Sequence, residues 1–192
     1  MTRQCTQLEH SPTSSIFADP HVKLLSWNIR SGGGKRCDAI ADAIGSYDAD
    51  VVALSEYRPR SSAPLLRQLE DRGYGHFVLS DPDPNVGGVA IASRLRMVEE
   101  KPLAALGSEY FAKLSTFGYV DLWRREREAG AQEHTWYGPR HPYRIDHAFG
   151  SRNVLTRVER CWYSHDERER KISDHSIVLV ELSNASVEQP PA

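Results

Sequence analysis

Leu25-Ser26-Trp27-Asn28-Ile29-Arg30-Ser31-Gly32-Gly33-Gly34 is the stretch on which the reading of this chain turns. An apolar run over residues 22–27 reads as a strand. It stops at Asn28 and passes into a glycine-rich loop. Beyond the loop, apolar residues at 37, 40, 41 and 44 stand at helical spacing. The next run, Asp50-Val51-Val52-Ala53-Leu54-Ser55, reads as a buried strand and leads into Glu56. A strand, a loop, a helix and a second apolar strand are the start of an α/β layer.

Working outward, the spacing predicts a helix over 64–69, strands over 76–79 and 87–93, and a loop over 81–85 between them. A helix is expected over 109–117, with Gly118 as its stop. Strands follow over 144–149, 157–163 and 176–182, with a charged loop over 166–171. The expected architecture is a four-layered α/β sandwich, two sheets flanked by helices.

The 192 residues suit one domain, placed at 21–183 between a polar lead-in (1–20) and a proline-bearing tail (184–192). Net charge is −2, with no basic half, so a wholesale electrostatic grip on nucleic acid is not expected. No apolar run approaches the roughly 18 residues of a membrane span. Cys5, Cys37 and Cys161 are scattered and form no CxxC pair. That usage fits a reducing compartment, the cytoplasm.

Polar residues suited to a hard cation or a proton stand where strands begin and end. Asn28 follows one strand and Glu56 another, Asp146 lies within a third, and Asp174-His175 precede the last. Singly, each reads as a turn or surface residue. Together they offer Mg²⁺ the one or two carboxylates it takes, from Glu56 with Asn28 or Asp174. They also offer a histidine, His175, that Asp146 could orient. Arg144, two residues from Asp146, and Trp123 are the candidates for contact with substrate.

The same words carry a resemblance. Leu25-Ser26-Trp27-Asn28-Ile29-Arg30, Leu54-Ser55-Glu56, Gly87-Gly88-Val89-Ala90-Ile91-Ala92-Ser93-Arg94, Gly118-Tyr119-Val120-Asp121-Leu122-Trp123-Arg124, Arg144-Ile145-Asp146-His147 and Ser173-Asp174-His175-Ser176 occur in that order. The chain resembles the endonuclease/exonuclease/phosphatase superfamily of Mg²⁺-dependent phosphoesterases. The resemblance implies Glu56 as main metal carboxylate, with Asn28 beside it touching metal or phosphate and Asp174 as a second acid. It implies His175 as the histidine that contacts the scissile phosphate, and Asp146 as its partner. It further implies Mg²⁺ (or Mn²⁺) as cofactor and a phosphodiester substrate, with nucleic acid, DNA included, as the leading class; the near-neutral charge keeps a small phosphorylated molecule or a lipid headgroup open beside it.

One family word is missing. The superfamily carries Gly-Asp-x-Asn between the 87–94 and 118–124 words, and here only 23 residues, 95–117, lie between them. Central strands of one sheet are therefore expected to be absent, which leaves apolar surface for a second copy of the chain to cover. The water-positioning carboxylate goes with them, so weak turnover, or a metal- and phosphate-binding module without turnover, is the rival reading. Asp121 is a weak stand-in and reads better as keeping its own place. The Gly32-Gly33-Gly34-Lys35-Arg36 loop lacks the remaining residues of a nucleotide-triphosphate loop. The histidines of the last third lack zinc spacing.

Overall fold

The computed structural model describes residues 21–80, 87–97 and 113–184. The lead-in, nearly all of the tail, the 81–85 loop and the start of the expected 109–117 helix lie outside these residues. Residues 114–117 form a turn.

The main sheet has six strands in the order β3-β4-β2-β1-β10-β9. They are β1 (His21–Asn28), β2 (Val51–Tyr57), β3 (His76–Leu79), β4 (Gly88–Ser93), β9 (Val158–Ser164) and β10 (Ile177–Ser183). Only β1 and β2 run parallel, joined through helix α1 (Cys37–Tyr47); every other pairing is antiparallel. Helix α2 (Pro59–Asp71) follows β2. It opens five residues earlier than the sequence suggested. Pro59 supplies the preset φ of a first helical position, and the fully buried Leu65 and Leu69 hold the helix through Pro64.

Alternation decides which layer each strand side chain joins. Leu25 and Trp27 of β1, Val52 and Leu54 of β2 and Ile177 and Leu179 of β10 pack with Ile40, Ile44, Leu65 and Leu69 of the helices. Val178, Val180 and Leu182 of β10 face the other way and meet Leu122, Trp123, Val158 and Cys161. Cys37 lies in the first cluster and Cys161 in the second, both buried.

The second layer is slight among the described residues. It holds the two-residue strands β5 (Val120–Asp121) and β8 (Phe149–Gly150), which pair with each other, and the one-turn helices Leu122–Arg125 and Arg152–Leu155. An apolar cavity of about 290 Å³ opens between it and the sheet, lined by Leu24, Val51, Ala53, Ile91, Leu122 and Phe149 among others. The α/β class holds, with one full sheet and a reduced second layer.

Two local expectations change. Residues 144–148 form no strand; only Phe149 and Gly150 do. Side chains take the place of a ladder there. Thr135 Oγ1 accepts from the Ile145 and Asp146 N–H groups, Tyr163 OH donates to the Asp146 carbonyl, and His147 Nε2 donates to the Arg144 carbonyl. The charged 166–171 loop contains a one-turn helix, Asp166–Glu169. Its Glu167 is buried against Tyr47 and Ser164 hydroxyls.

Candidate functional site

The parallel pair sets the location. β1 ends at Asn28 and β2 ends just beyond Glu56, so both residues stand at the same edge of the sheet. That edge, outside the carboxyl ends of parallel strands, is where open α/β sheets place ligands. Glu56 is the extra residue of a bulge: the β2–β4 register shifts between Ser55 and Tyr57. Its φ of 58° is left-handed, and the bulge turns the side chain off the pleat. Gly87 makes this possible, because a Cβ there would stand 2.6 Å from the Glu56 Cα.

Glu56 is held on both oxygens. Asn28 Nδ2 donates to Oε1 (3.1 Å) and the Ser31 N–H donates to Oε2 (2.7 Å). Asn28 Oδ1 in turn accepts from the Arg30 N–H (2.9 Å). The glycine-rich loop is anchored by Ser62, whose hydroxyl donates to the Gly32 carbonyl (3.0 Å).

The loop before β10 brings the other groups to the same edge. Ser173 Oγ donates to the Asn28 carbonyl (2.6 Å) and accepts from the His175 N–H (3.2 Å). The buried Trp27 indole donates to the His175 carbonyl (3.2 Å). His175 Nδ1 lies 3.0 and 2.9 Å from the two Asp146 oxygens. Facing a carboxylate, Nδ1 is the donor, which leaves Nε2 to act outward. Burial works against a charged His175 ring. The Asp146 hydrogen bond and charge, with Asp174 and Glu56 behind them, outweigh it and raise its pKa.

Asp174 completes the cluster. Its Oδ2 accepts from the Trp136 indole (3.3 Å) and stands 4.0 Å from Arg30 Nε, while its Oδ1 is buried with no hydrogen-bond partner. A buried acceptor left bare beside a carboxylate–amide pair fits a hard cation or its water. No group of three or more His, Cys, Asp or Glu residues that could hold a metal occurs among the described residues. The oxygen donors at this edge are Glu56, Asp174 and Asn28 Oδ1.

The structure thus brings Asn28, Glu56, Asp146, Asp174 and His175 to one edge. It does not bring Arg144 or Trp123 there. Arg144 forms a bidentate ion pair with Asp121, donates to Tyr163 OH (3.2 Å) and lies over the Trp123 ring. Trp123 is itself buried. Without a strand at 144–148, the two-residue spacing from Asp146 no longer places Arg144 on the Asp146 side. Asp121 is equally committed, to Arg144 and to His147 Nδ1 (3.2 Å).

Three supporting residues escape a reading of the sequence. Thr135 and Ser173 act through single hydroxyls on backbone groups far away in sequence. Arg36 ties the loops by donating to the carbonyls of Ile29, Arg30 and Ile172. Ser173 at least sits inside the Ser173-Asp174-His175 word, whereas Thr135 carries no local signal.

Comparison with known proteins bears on the fold and the family. In solved structures the fold is similar to a 3′ phosphatase, NExo, from Neisseria bound to a product DNA hairpin (TM-score 0.70, 16% identity, covering 84% of this chain and 99% of that one). It is also similar to an AP endonuclease from Archaeoglobus fulgidus (TM-score 0.63, 14% identity, covering 85% and 100%). No curated protein matches the chain in sequence. The model of the Endonuclease/Exonuclease/phosphatase family matches residues 25–121, half of the chain, and the chain belongs to that family.

Proposed function

We propose that the chain is a Mg²⁺-dependent phosphodiester hydrolase, with nucleic acid as its leading substrate class. The observation that carries this is the joining of the Asn28–Glu56 pair to the Asp146–His175 pair, through Ser173, at one edge of the sheet. The two neighbours named above, one bound to DNA, support the substrate class.

His175, held through Nδ1 by Asp146, turns Nε2 toward a non-bridging oxygen of the phosphate, to which it donates when the ring carries both protons. There it stabilises the charge that builds up as a water attacks. The second N–H of Asn28 Nδ2 is free to orient the same phosphate. Glu56 and Asp174, with Asn28 Oδ1, would hold Mg²⁺, which polarises the phosphoryl oxygens when bound. Trp136 and Arg30 fix the Asp174 carboxylate. The Gly-Asp-x-Asn word is absent and Asp121 is committed elsewhere, so turnover is expected to be slow, by a factor of about 10²–10⁴ for a missing acid/base group. Those two facts also favour the second reading, a module that binds metal or phosphate without turnover. A homodimer built through the incomplete sheet accompanies either reading.

The test is hydrolysis of bis(4-nitrophenyl) phosphate with Mg²⁺, alongside Glu56→Ala and His175→Ala. Loss of turnover in both variants is expected, and turnover that survives both overturns the assignment. Mg²⁺ binding by calorimetry without turnover selects the second reading, and light scattering reports the dimer.

A further inference from the structure

We propose that a groove leading off the Asp174 side of the site binds a single-stranded nucleic acid end, taking the phosphate next to the reacting one and the base attached to it. This inference rests on the phosphodiesterase reading and names the form of its substrate. The groove has a volume of about 340 Å³ and is lined by Arg30, Tyr137, Arg168 and Lys171, with Ser173 and Asp174 at its inner end. It therefore continues from the cluster that would hold the reacting phosphate.

Its chemistry is local. In a chain of net charge −2, three cations line this one groove against a single further acid, Glu169. Tyr137 lies on β6 (Trp136–Tyr137), which pairs with β7 (Pro142–Tyr143), and Trp136 is bridged to His175. Tyr137 as a residue is 59% exposed. The Arg168 guanidinium lies 4.2 Å from the centre of that ring and is fixed by donating to the His134 carbonyl (2.8 Å). A base entering the groove meets an aromatic ring braced by a guanidinium, a sequence-tolerant stacking surface.

The backbone fixes where two of the cations stand. Arg30 and Lys171 come from different loops, one after β1 and one shortly before β10. Both hold left-handed backbone, with φ of 51° and 61°. At Lys171 the conformation is that of a helix end: its N–H donates to the Arg168 carbonyl and the Ile172 N–H to the Glu167 carbonyl, which closes the one-turn helix. Here the two place a cation each in the same groove, at the spacing of neighbouring loops rather than of one helix face. A small phosphorylated molecule would leave this extension empty, and a base stacked within a duplex could not offer its face to Tyr137.

The experiment measures fluorescence anisotropy of a labelled six-nucleotide single-stranded DNA with the full chain in EDTA, so that binding is read without turnover. Tyr137→Ala is expected to weaken binding about tenfold, and Tyr137→Phe to restore it. Lys171→Ala is expected to reduce the slope of log affinity against log salt by about 0.7. Arg96→Ala, at the opposite end of β4 from the site, is expected to leave that slope unchanged. Wild-type affinity in both Tyr137→Ala and Lys171→Ala overturns the proposal, as does a duplex of the same sequence binding as tightly as the single strand. These outcomes do not depend on hydrolysis. Failure of the phosphodiesterase reading would show instead as turnover indifferent to Glu56→Ala and His175→Ala.

Discussion

Glu56 shows how much of a site one backbone angle decides. Its place at the end of an apolar run and its family word mark it in the sequence. What no pattern encodes is a glutamate at positive φ in a bulge, because tertiary pairing with β4 creates it. Gly87 is the counterpart, since a side chain there would press on the Glu56 backbone rather than on something able to yield. Gly87→Ala is expected to destabilise the fold by about 1–3 kcal/mol, read as a lowered urea midpoint. It should also release the Glu56 carboxylate from Asn28. A midpoint equal to wild type would mean that the bulge relaxes at no cost. The pairing of His175 with Asp146 was legible through the family words that carry both residues, since a ring can equally be held by a hydroxyl, as His165 is by Ser176. Arg144 takes its pairing with Asp121 from a segment that hydroxyl and carbonyl contacts hold in place of a strand, which alternation along the chain does not encode.

At the scale of elements, the irregular segment 144–148 is held by a buried cluster rather than by a ladder. Arg144 and His147 both converge on Asp121, at the end of β5. Burial opposes the Asp121 charge, but the hydrogen bonds from His147 and Arg144, with that of the Arg124 N–H, outweigh it and hold the carboxyl well below the usual carboxylate range. A depressed folded-state value gives stability that is complete above the ordinary carboxyl value near 4 and is lost as pH falls below it. Asp121→Asn is expected to cost about 3 kcal/mol at pH 7, since it leaves Arg144 without its counter-charge. The gap between wild type and Asp121→Asn in urea denaturation should narrow at pH 3. A gap independent of pH would show that the pair is not the source. Periodicity found α1, α2 and the strands of the main sheet because each buries one regular face. It could not find a segment whose order comes from Thr135, Tyr163 and His147, since none of these contacts repeats along the chain.

For the whole molecule, the deciding element is β10. It lies between β1 and β9, and its alternating side chains enter both cores, Ile177 and Leu179 on one face and Val178, Val180 and Leu182 on the other. The sheet therefore closes only when the end of the domain pairs with its beginning, a long-range contact that slows folding. A chain ending at residue 176 is expected to show no cooperative unfolding transition, and a sharp transition would mean that β1 finds another partner. The α/β class could be read from the sequence, because the strands and helices of the main sheet each keep a regular period. The cavity over Leu24, Val51, Ala53 and Ile91 could not, because strand order, which local patterns leave open, decides where the gap falls.

The two buried cysteines stand on opposite faces of the main sheet, and burial pushes both thiols up, Cys161 to about 12. Only thiolates alkylate at a useful rate, so each sulfur stays silent until its own side of the protein opens. The pair forms a built-in stopwatch with two dials. Under iodoacetamide, early labelling of Cys161 alone would time the slight layer peeling away while the helical side stays shut, and equal rates at both would mean that the molecule opens only as one piece.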